Sequence, residues 1–265
     1  MQPTVGFIGF GNMARAIAEG LIRAGFPKEK ILASVRSERS KEKLQKEGFK
    51  VLPPEEVIEK SDFLFLATKP KDLPAAVEPF KEHPKKGEKV FISVAAGVPL
   101  RKLKDLLGED SKIVRTMPNV NVAVGKGVWG VAFSENLTPA ERQTVKELLE
   151  KTGLVVELEE SLMDAITALA GSGPAFIAEI IDAFAEAGVK LGFKYPDALK
   201  IALYTFTGTL QLMEERNEHP ILLRDKVTSP AGTTIYGLSK LHSEGIKGKL
   251  IEVVEEAYKR AKGLT

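Results

Sequence analysis

The sequence predicts an α/β fold in two parts: a doubly wound, mostly parallel sheet with helices, followed by an all-α domain. In the first 160 residues, short apolar runs alternate with amphipathic stretches, a pattern typical of strands separated by helices. After residue 160 a helical period dominates and no further strand is indicated. We therefore predict one domain over residues 1–160 and a helical domain over residues 161–265.

The strands of the first domain are indicated by short apolar runs. Five runs come first, at residues 5–9, 31–35, 63–67, 90–94 and 113–115, and two more, at 128–133 and 154–158, extend the sheet. Helical periods fall between the runs, since Met13, Ile17 and Leu21 share one face and a further helix covers about 139–152.

The helical domain is predicted to contain helices at residues 163–169, 176–191, 196–215, about 233–242, and 247–262. The second of these is rich in alanine and glycine, and small residues let helices approach closely. It is either a core helix or part of an interface between subunits. We favour the interface, because a helical domain of roughly 100 residues makes a thin core by itself.

Composition excludes several classes of function. Of the 265 residues, 43% are hydrophobic and 28% are charged, as in ordinary globular proteins. A net charge of +2 gives no reason to expect a nucleic-acid or membrane-surface partner. The absence of cysteine excludes disulfides, thiolate catalysis and cysteine-based metal sites. We expect a cytoplasmic protein with neither a signal peptide nor a membrane-spanning segment.

The first strand leads into a glycine-rich motif. Gly9, Gly11 and Ala14 match G-x-G-x-x-G/A between a predicted strand and a predicted helix. Such glycines permit a tight turn and close approach of the backbone to a pyrophosphate, which the helix N-terminus then binds. The motif predicts a Rossmann-type dinucleotide site that includes Gly9, Gly11, Asn12 and Met13.

The end of the second strand indicates which dinucleotide binds. Ser34, Arg36 and Ser37 stand where NAD-selective folds place an acid, and Arg39 follows. Guanidinium and hydroxyl groups suit a ribose 2′-phosphate, whereas a carboxylate would repel it. We predict NADPH as the cofactor, with NADH left open. In the alternative interpretation, both arginines are solvated charges at a helix start.

Two later segments are candidates for the reacting end. The small residues Ala95, Ala96 and Gly97 after the fourth run would let a nicotinamide ring lie close to the backbone. Ser229 either caps a helix with Pro230 at its first position, or belongs to a pocket of amides and hydroxyls suited to one carboxylate. Ordinary turns are the alternative for both segments.

Acid–base and metal chemistry have no candidates in this sequence. The three histidines, His83, His219 and His242, lie outside the candidate segments, and we interpret them as surface or structural residues. No Ser/His/Asp constellation or metal-ligand spacing is present. Oxidation of an alcohol usually needs a placed base, whereas a protonated imine is already a strong electrophile. The pattern therefore favours reduction of a small imino acid.

Six motifs resemble those of the pyrroline-5-carboxylate reductase family and occur in the same order. They lie at residues 6–13, 66–70, 93–97, 114–119, 169–176 and 219–234 and span nearly the whole chain. The most specific are Gly-Ser-Gly-Pro-Ala at 171–175 and Ser-Pro-Ala-Gly-Thr-Thr at 229–234. The resemblance implies reduction of pyrroline-5-carboxylate to proline by NADPH or NADH, in a homodimer whose helical domains interlock and which often assembles into rings.

The resemblance also implies roles for individual residues. The cofactor site would include Lys69, Pro70, Ala95, Ala96, Met117, Pro118 and Asn119, with the last five near the nicotinamide. The substrate carboxylate would bind Ser229, Gly232, Thr233 and Thr234. Thr234 would be catalytic, because its hydroxyl would touch the ring nitrogen.

The sequence departs from the family pattern at a few positions. Ala231 stands where a second glycine is usual, Val120 and Asn121 replace a Thr-Pro pair, and Ile221 replaces glycine. Alanine keeps the backbone N–H but disfavours a positive φ, so the local loop geometry is in question.

Other functions stay open at this stage. A 3-hydroxyacid dehydrogenase of the same build would need a lysine and an asparagine on the helix after Gly173, and the helix that follows begins with neither. A reductase of a six-membered imine would differ by one methylene, worth only about 1–3 kcal/mol of binding. A non-enzymatic NADP(H) sensor would have no reason to keep residues 229–234.

Overall fold

The computed structural model describes residues 3–263. Its strands are β1 (Val5–Ile8), β2 (Ile31–Ser34), β3 (Lys50–Val51), β4 (Phe63–Leu66), β5 (Val90–Ser93), β6 (Lys112–Pro118), β7 (Gly127–Phe133) and β8 (Gly153–Glu157). They form one sheet in the order β3-β2-β1-β4-β5-β6-β7-β8. Neighbouring strands are parallel except β6 and β7. The predicted doubly wound, mostly parallel sheet is confirmed.

Helices lie between most of these strands and follow the last of them. They are α1 (Asn12–Arg23), α2 (Glu38–Lys46), α3 (Pro54–Lys60), α4 (Leu73–Val77), α5 (Leu100–Leu107), α6 (Pro139–Glu150), α7 (Met163–Ile166), α8 (Gly173–Lys190), α9 (Tyr195–Arg216), α10 (Pro220–Lys226), α11 (Thr233–Ser243) and α12 (Ile246–Lys262). Within the described residues, no strand follows β8, as the sequence predicted.

The core lies on both faces of the sheet. Along β4, Phe63 and Phe65 belong to one buried cluster, while Leu64 and Leu66 belong to the other. Successive side chains of a strand point to opposite faces, so a strand buried on both sides reads as a continuous apolar run. This explains why the short apolar runs located the central strands correctly.

Several elements were not predicted from the sequence. They are β3, the helices α2, α3, α4 and α10, and the last three residues of β6. Strand β3 has only two residues, and α2 buries a single apolar side chain, Leu44. Elements this short or this polar give little hydrophobic periodicity, so they were not distinguishable from loops.

The described chain divides into two compact units. One contains the residues up to 172 together with those from 257 onward, and the other contains residues 173–256. The first includes the whole sheet, and the second consists of α8 to α11 and most of α12. The domain boundary predicted after residue 160 stays a prediction.

Small residues in the helical unit allow close packing within the chain. A Cβ atom added at Gly188 of α8 would lie 2.7 Å from the Cβ of Ala198 on α9. Ala185, Ala198 and Ala202 are buried. The small residues predicted for a subunit interface thus include some that serve the contact between α8 and α9 instead.

Large apolar side chains of this unit remain exposed in the single chain. Phe184 is 56% exposed, and Tyr204 is 83% exposed. One helical stretch, Glu160–Lys190, is also long and apolar enough, by length and composition alone, to cross a membrane. The expectation that no segment spans a membrane rested on uninterrupted apolar runs, and polar residues interrupt this stretch. Exposed apolar surface of this extent marks an interaction site, and subunit association accounts for it as well as a bilayer does.

Candidate cofactor and substrate sites

The glycine-rich turn joins β1 to α1. Gly9 has φ +85°, and an added Cβ would lie 2.9 Å from the carbonyl oxygen of Ala67, so glycine is required there. Gly11 is the N-cap of α1, and no side chain caps this helix. The first turn, beginning with Asn12 and Met13, carries no acid. Its amide groups are therefore available to an anion.

A cavity of about 740 Å³ opens beside this turn. Its lining includes six of the predicted cofactor residues, namely Gly9, Gly11, Ser34, Arg36, Ser37 and Lys69. It also includes residues that were not among the predicted cofactor residues, for example Phe10, Ser40, Thr68, Lys71 and Asp72. Pro70 is not among the lining residues, but it begins the short helical turn Pro70–Asp72, whose other two residues line the cavity. The volume lies in the range of small-molecule sites.

Polar groups gather at the β2 end of the cavity. Ser37 caps α2, because its Oγ accepts the backbone N–H of Ser40 at 3.2 Å, and the Ser37 hydroxyl lies 2.8 Å from the Ser40 hydroxyl. Arg36 Nη2 lies 3.0 Å from Asp72 Oδ1. Arg39 instead lines a separate surface hollow on α2, so of the two predicted arginines only Arg36 lines the cavity.

The other predicted cofactor residues lie at the ends of β5 and β6. Ser93 pairs with Arg115 in register, so the residues just beyond them lie at the same edge of the sheet. Ala95 and Ala96 follow β5, and Met117 and Pro118 end β6. The Thr116 hydroxyl donates to the Ser93 carbonyl at 2.9 Å and ties the two strand ends together. The sheet thus brings these two segments together.

The side chain of Asn119 holds the chain beyond β6 in place. Its Nδ2 donates to the carbonyl of Ala170 at 3.0 Å, and its Oδ1 accepts the N–H of Val128 at 3.1 Å. Ala170 belongs to a π-helical turn, Thr167–Gly171, between α7 and α8. Such turns occur frequently at functional sites. Backbone bonds from Asn119 N–H to the Val128 carbonyl and from Val122 N–H to the Asn119 carbonyl, both at 3.2 Å, add to this hold, so Asn119 fixes the position of the chain beyond β6.

The predicted substrate segment contains a turn followed by a helix. Gly232 N–H donates to the Ser229 carbonyl at 3.1 Å, and α11 begins at Thr233 with Gly232 as its N-cap. The interpretation of Ser229 as the helix cap is therefore wrong, because the positive φ of Ala231 makes a turn before the helix begins. No side chain caps α11, so the amides of Thr233 and Thr234 are available to a carboxylate.

Ala231 has φ +56°, a left-handed conformation that alanine disfavours by about 1–2 kcal/mol. Replacing Ala231 by glycine is therefore expected to raise the free energy of unfolding by about 0.5–1 kcal/mol, after the entropy cost of glycine is subtracted. Urea unfolding at fixed protein concentration measures the change. Asn217→Gly is the control, because Asn217 also has a positive φ, +47°, and asparagine tolerates the left-handed conformation. Its free energy of unfolding should rise by less. A loss of stability in Ala231→Gly would show that the backbone at Ala231 is not strained.

Two of the three histidines have structural roles, and the third lies at the surface. His83 Nδ1 accepts the N–H of Lys85 at 3.2 Å, and His219 Nδ1 accepts that of Ile221 at 3.2 Å and caps α10. His242 is exposed in the last turn of α11. Across residues 3–263 no group of three His, Asp or Glu side chains is arranged to hold a metal ion. The candidate sites therefore offer amides, hydroxyls, cations and the single carboxylate of Asp72.

Two family models match different parts of the chain. Residues 160–264 match a model described as pyrroline-5-carboxylate reductase dimerisation. Residues 4–97 match a model described as NADP oxidoreductase, coenzyme F420-dependent. The first match includes residues 229–234, and the second includes the glycine-rich turn.

Relatives are similar to the chain along its whole length. A pyrroline-5-carboxylate reductase from Aquifex aeolicus is 42% identical over 98% of this chain and 97% of its own. One from Methanosarcina acetivorans is 41% identical over 98% of this chain and 97% of its own. The solved Coxiella burnetii reductase superposes with a TM-score of 0.92 at 30% identity, covering 100% and 99% of the two chains. The solved structure of a Plasmodium falciparum pyrroline carboxylate reductase with NADP bound superposes with a TM-score of 0.87 at 27% identity, covering 99% of this chain and 98% of its own.

Proposed function

Since the chain belongs to the pyrroline-5-carboxylate reductase family, we propose that it reduces L-1-pyrroline-5-carboxylate to L-proline with a nicotinamide dinucleotide. One observation carries the proposal: the matched regions include both the glycine-rich turn and the turn at residues 229–234. The resemblance seen in the sequence motifs is confirmed by these matches.

The residues around the cavity fit a dinucleotide. Gly9 permits close approach, the uncapped amides of α1 suit the pyrophosphate, and Arg36 supplies positive charge. When bound, a reduced nicotinamide supplies the hydride. Ala95 and Ala96 leave room for the ring beside the backbone, and Met117, Pro118 and Asn119 lie at the adjacent strand end. Orientation by these groups is the main contribution of the chain.

We propose that NADPH is the preferred dinucleotide and that NADH is used less efficiently. Arg36, Lys69 and Lys71 place three cations around the cavity, and a 2′-phosphate adds negative charge for them to bind. The ratio of kcat/KM for NADPH and NADH tests the preference. A ratio below one would contradict it.

The substrate carboxylate is assigned to residues 229–234. The amides of Thr233 and Thr234 at the start of α11 and the hydroxyl of Ser229 suit a single anion. An added Cβ at Gly232 would lie 2.2 Å from Ser229 Oγ, so a larger residue there would displace the hydroxyl that is proposed to bind the carboxylate. Thr234 is half-buried, and its hydroxyl is proposed to hold the imine nitrogen.

Thr234→Val is expected to lower kcat/KM for pyrroline-5-carboxylate by an amount equal to about 1–3 kcal/mol of transition-state stabilisation. Valine keeps the shape of threonine and removes only the hydroxyl. Steady-state rates at saturating NADPH measure the loss. Thr144→Val is the matched control, since the Thr144 hydroxyl donates to its own helix at Ala140. An unchanged rate in Thr234→Val would remove the hydroxyl from the reaction.

Consumption of NADPH with pyrroline-5-carboxylate tests the reaction itself. The assay is run beside oxidation of a 3-hydroxyacid with NADP⁺, because a dehydrogenase of similar build is the nearest rival. Activity on the hydroxyacid alone would overturn the assignment, and silence on both would favour a nucleotide sensor. Rates on five- and six-membered imines show which ring is preferred.

The helical half supports homo-oligomer formation. Its dimerisation match covers the helices whose large apolar side chains are exposed in the single chain, Phe184 and Tyr204 among them. We propose a homodimer, extended to a ring of dimers, in the cytoplasm. Light scattering of the purified protein measures the assembly, and a monomer would contradict it.

A further inference from the structure

An ion pair between Arg36 and Asp72 lies in the lining of the proposed dinucleotide cavity. Arg36 follows β2, and Asp72 ends the helical turn that follows β4. These two strands lie on either side of β1 in the sheet. Arg36 Nη2 lies 3.0 Å from Asp72 Oδ1, so the contact connects the segments after β2 and β4, at the edge of the sheet where the glycine-rich turn follows β1. The two side chains therefore meet in the lining of the cavity where the dinucleotide is proposed to bind.

Asp72 differs in charge from the other ionisable groups there. Among the described residues that line the cavity, Arg36, Lys69 and Lys71 are cations, and Asp72 alone carries a carboxylate. The hydrogen bond from Arg36 lowers the pKa of Asp72 from its usual value, with smaller contributions from the charges of Arg36, Lys71 and Lys69. The group is thus an anion at neutral pH, placed beside the cation that a 2′-phosphate would use.

We propose that Asp72 sets how strongly the enzyme discriminates between the two dinucleotides, by competing with the 2′-phosphate for Arg36. This inference rests on the proposed NADP(H) site. Binding NADPH brings a second anion to Arg36, so the ion pair must break or be shared and the two anions repel each other. Binding NADH leaves the pair intact. Asp72 therefore weakens NADPH binding and leaves NADH binding nearly unchanged.

The exposure of the pair makes this competition moderate. The Arg36 side chain is 69% exposed and that of Asp72 is 29% exposed, so water screens their attraction. A phosphate offers Arg36 three charged oxygens and can bind two guanidinium nitrogens at once, which a single contact to Asp72 does not match. NADPH is therefore still bound, but less tightly than the cations alone would allow.

The test measures dissociation constants of NADPH and NADH by fluorescence titration of the Asp72→Asn protein. Asparagine keeps the shape and removes the charge. We expect the constant for NADPH to fall about 3- to 10-fold and that for NADH to change less than about twofold. Asp105→Asn is the matched control, because Asp105 pairs with Arg101 at 2.7 Å on α5 and does not line the cavity. It should change neither constant.

A double-mutant cycle with Arg36→Gln tests the competition directly. Arg36→Gln alone should weaken the binding of NADPH more than that of NADH. Asp72→Asn should then increase the affinity for NADPH less in the Arg36→Gln background than in the wild type. An unchanged or weaker NADPH affinity in Asp72→Asn, or an equal gain for NADH, would overturn the proposal. Binding is measured without substrate, so inactivity on pyrroline-5-carboxylate would refute the proposed reaction alone. If neither dinucleotide binds, both proposals fail.

Discussion

Glu160→Ala is expected to lower the free energy of unfolding by about 3 kcal/mol or more, because it leaves a buried charge unpaired. Arg115 on β6 has a side chain only 7% exposed, and its Nη1 lies 2.9 Å from Glu160 Oε1. The same oxygen accepts the N–H of Leu100 at 2.6 Å, the first amide of α5. One carboxylate therefore holds a strand, a helix start and the segment that leads into α7. Urea unfolding measures the loss.

Two variants separate charge from shape. Glu160→Gln keeps an oxygen for both donors but removes the charge, so it should cost only about 1–2 kcal/mol. Asp105→Ala breaks an exposed pair with Arg101 and should change stability by less than about 1 kcal/mol. If Glu160→Ala cost no more than Asp105→Ala, the buried position of Arg115 would not matter for stability.

The central sheet was predictable because burial on both faces leaves a continuous apolar run. Strand β4, Phe63–Leu66, is an example, since all four of its residues are buried. The antiparallel pairing of β6 with β7 was not predictable in the same way. Strand direction depends on how the connection at residues 119–126 returns, and no periodicity in the sequence encodes that path.

In the candidate sites, residues adjacent in sequence were easier to predict than contacts between distant ones. Gly9 and Gly11 follow a strand and precede a helix, so their role follows from local geometry. Asp72 was missed because it meets Arg36 only after β2 and β4 are placed on either side of β1. Hydrophobic patterning carries no information about such a contact.

The turn before α11 shows a different reason for error. Ser229 and Pro230 have the composition of a helix start, yet the helix begins only at Thr233. The decisive feature is the left-handed backbone of Ala231, which alanine does not favour. A sequence rule that assigns positive φ to glycine does not predict it at an alanine.

Gly20→Ala is expected to lower the free energy of unfolding by about 2–3 kcal/mol, although alanine favours a helix over glycine by about 1 kcal/mol. Gly20 lies in α1, the helix whose N-terminus is proposed to bind the pyrophosphate. A Cβ there would lie 2.0 Å from the carbonyl oxygen of Val122 and 3.1 Å from Thr152 Cγ2. A backbone oxygen has no rotamer by which to avoid the clash, so α1 or the turn Val120–Val124 must move.

The displacement is expected to weaken NADPH binding as well, because either movement affects the proposed site. Moving α1 shifts the amides that follow Gly11, and moving the turn shifts the chain next to Asn119. Gly248→Ala in α12 makes the same substitution where, among residues 3–263 and outside its own helix, no atom lies within 4 Å of the new Cβ, so it should stabilise the protein. Unfolding and NADPH titration of both variants give the comparison. If Gly20→Ala were as stable as Gly248→Ala, with unchanged affinity, close packing of α1 on that turn would have no part in shaping the site.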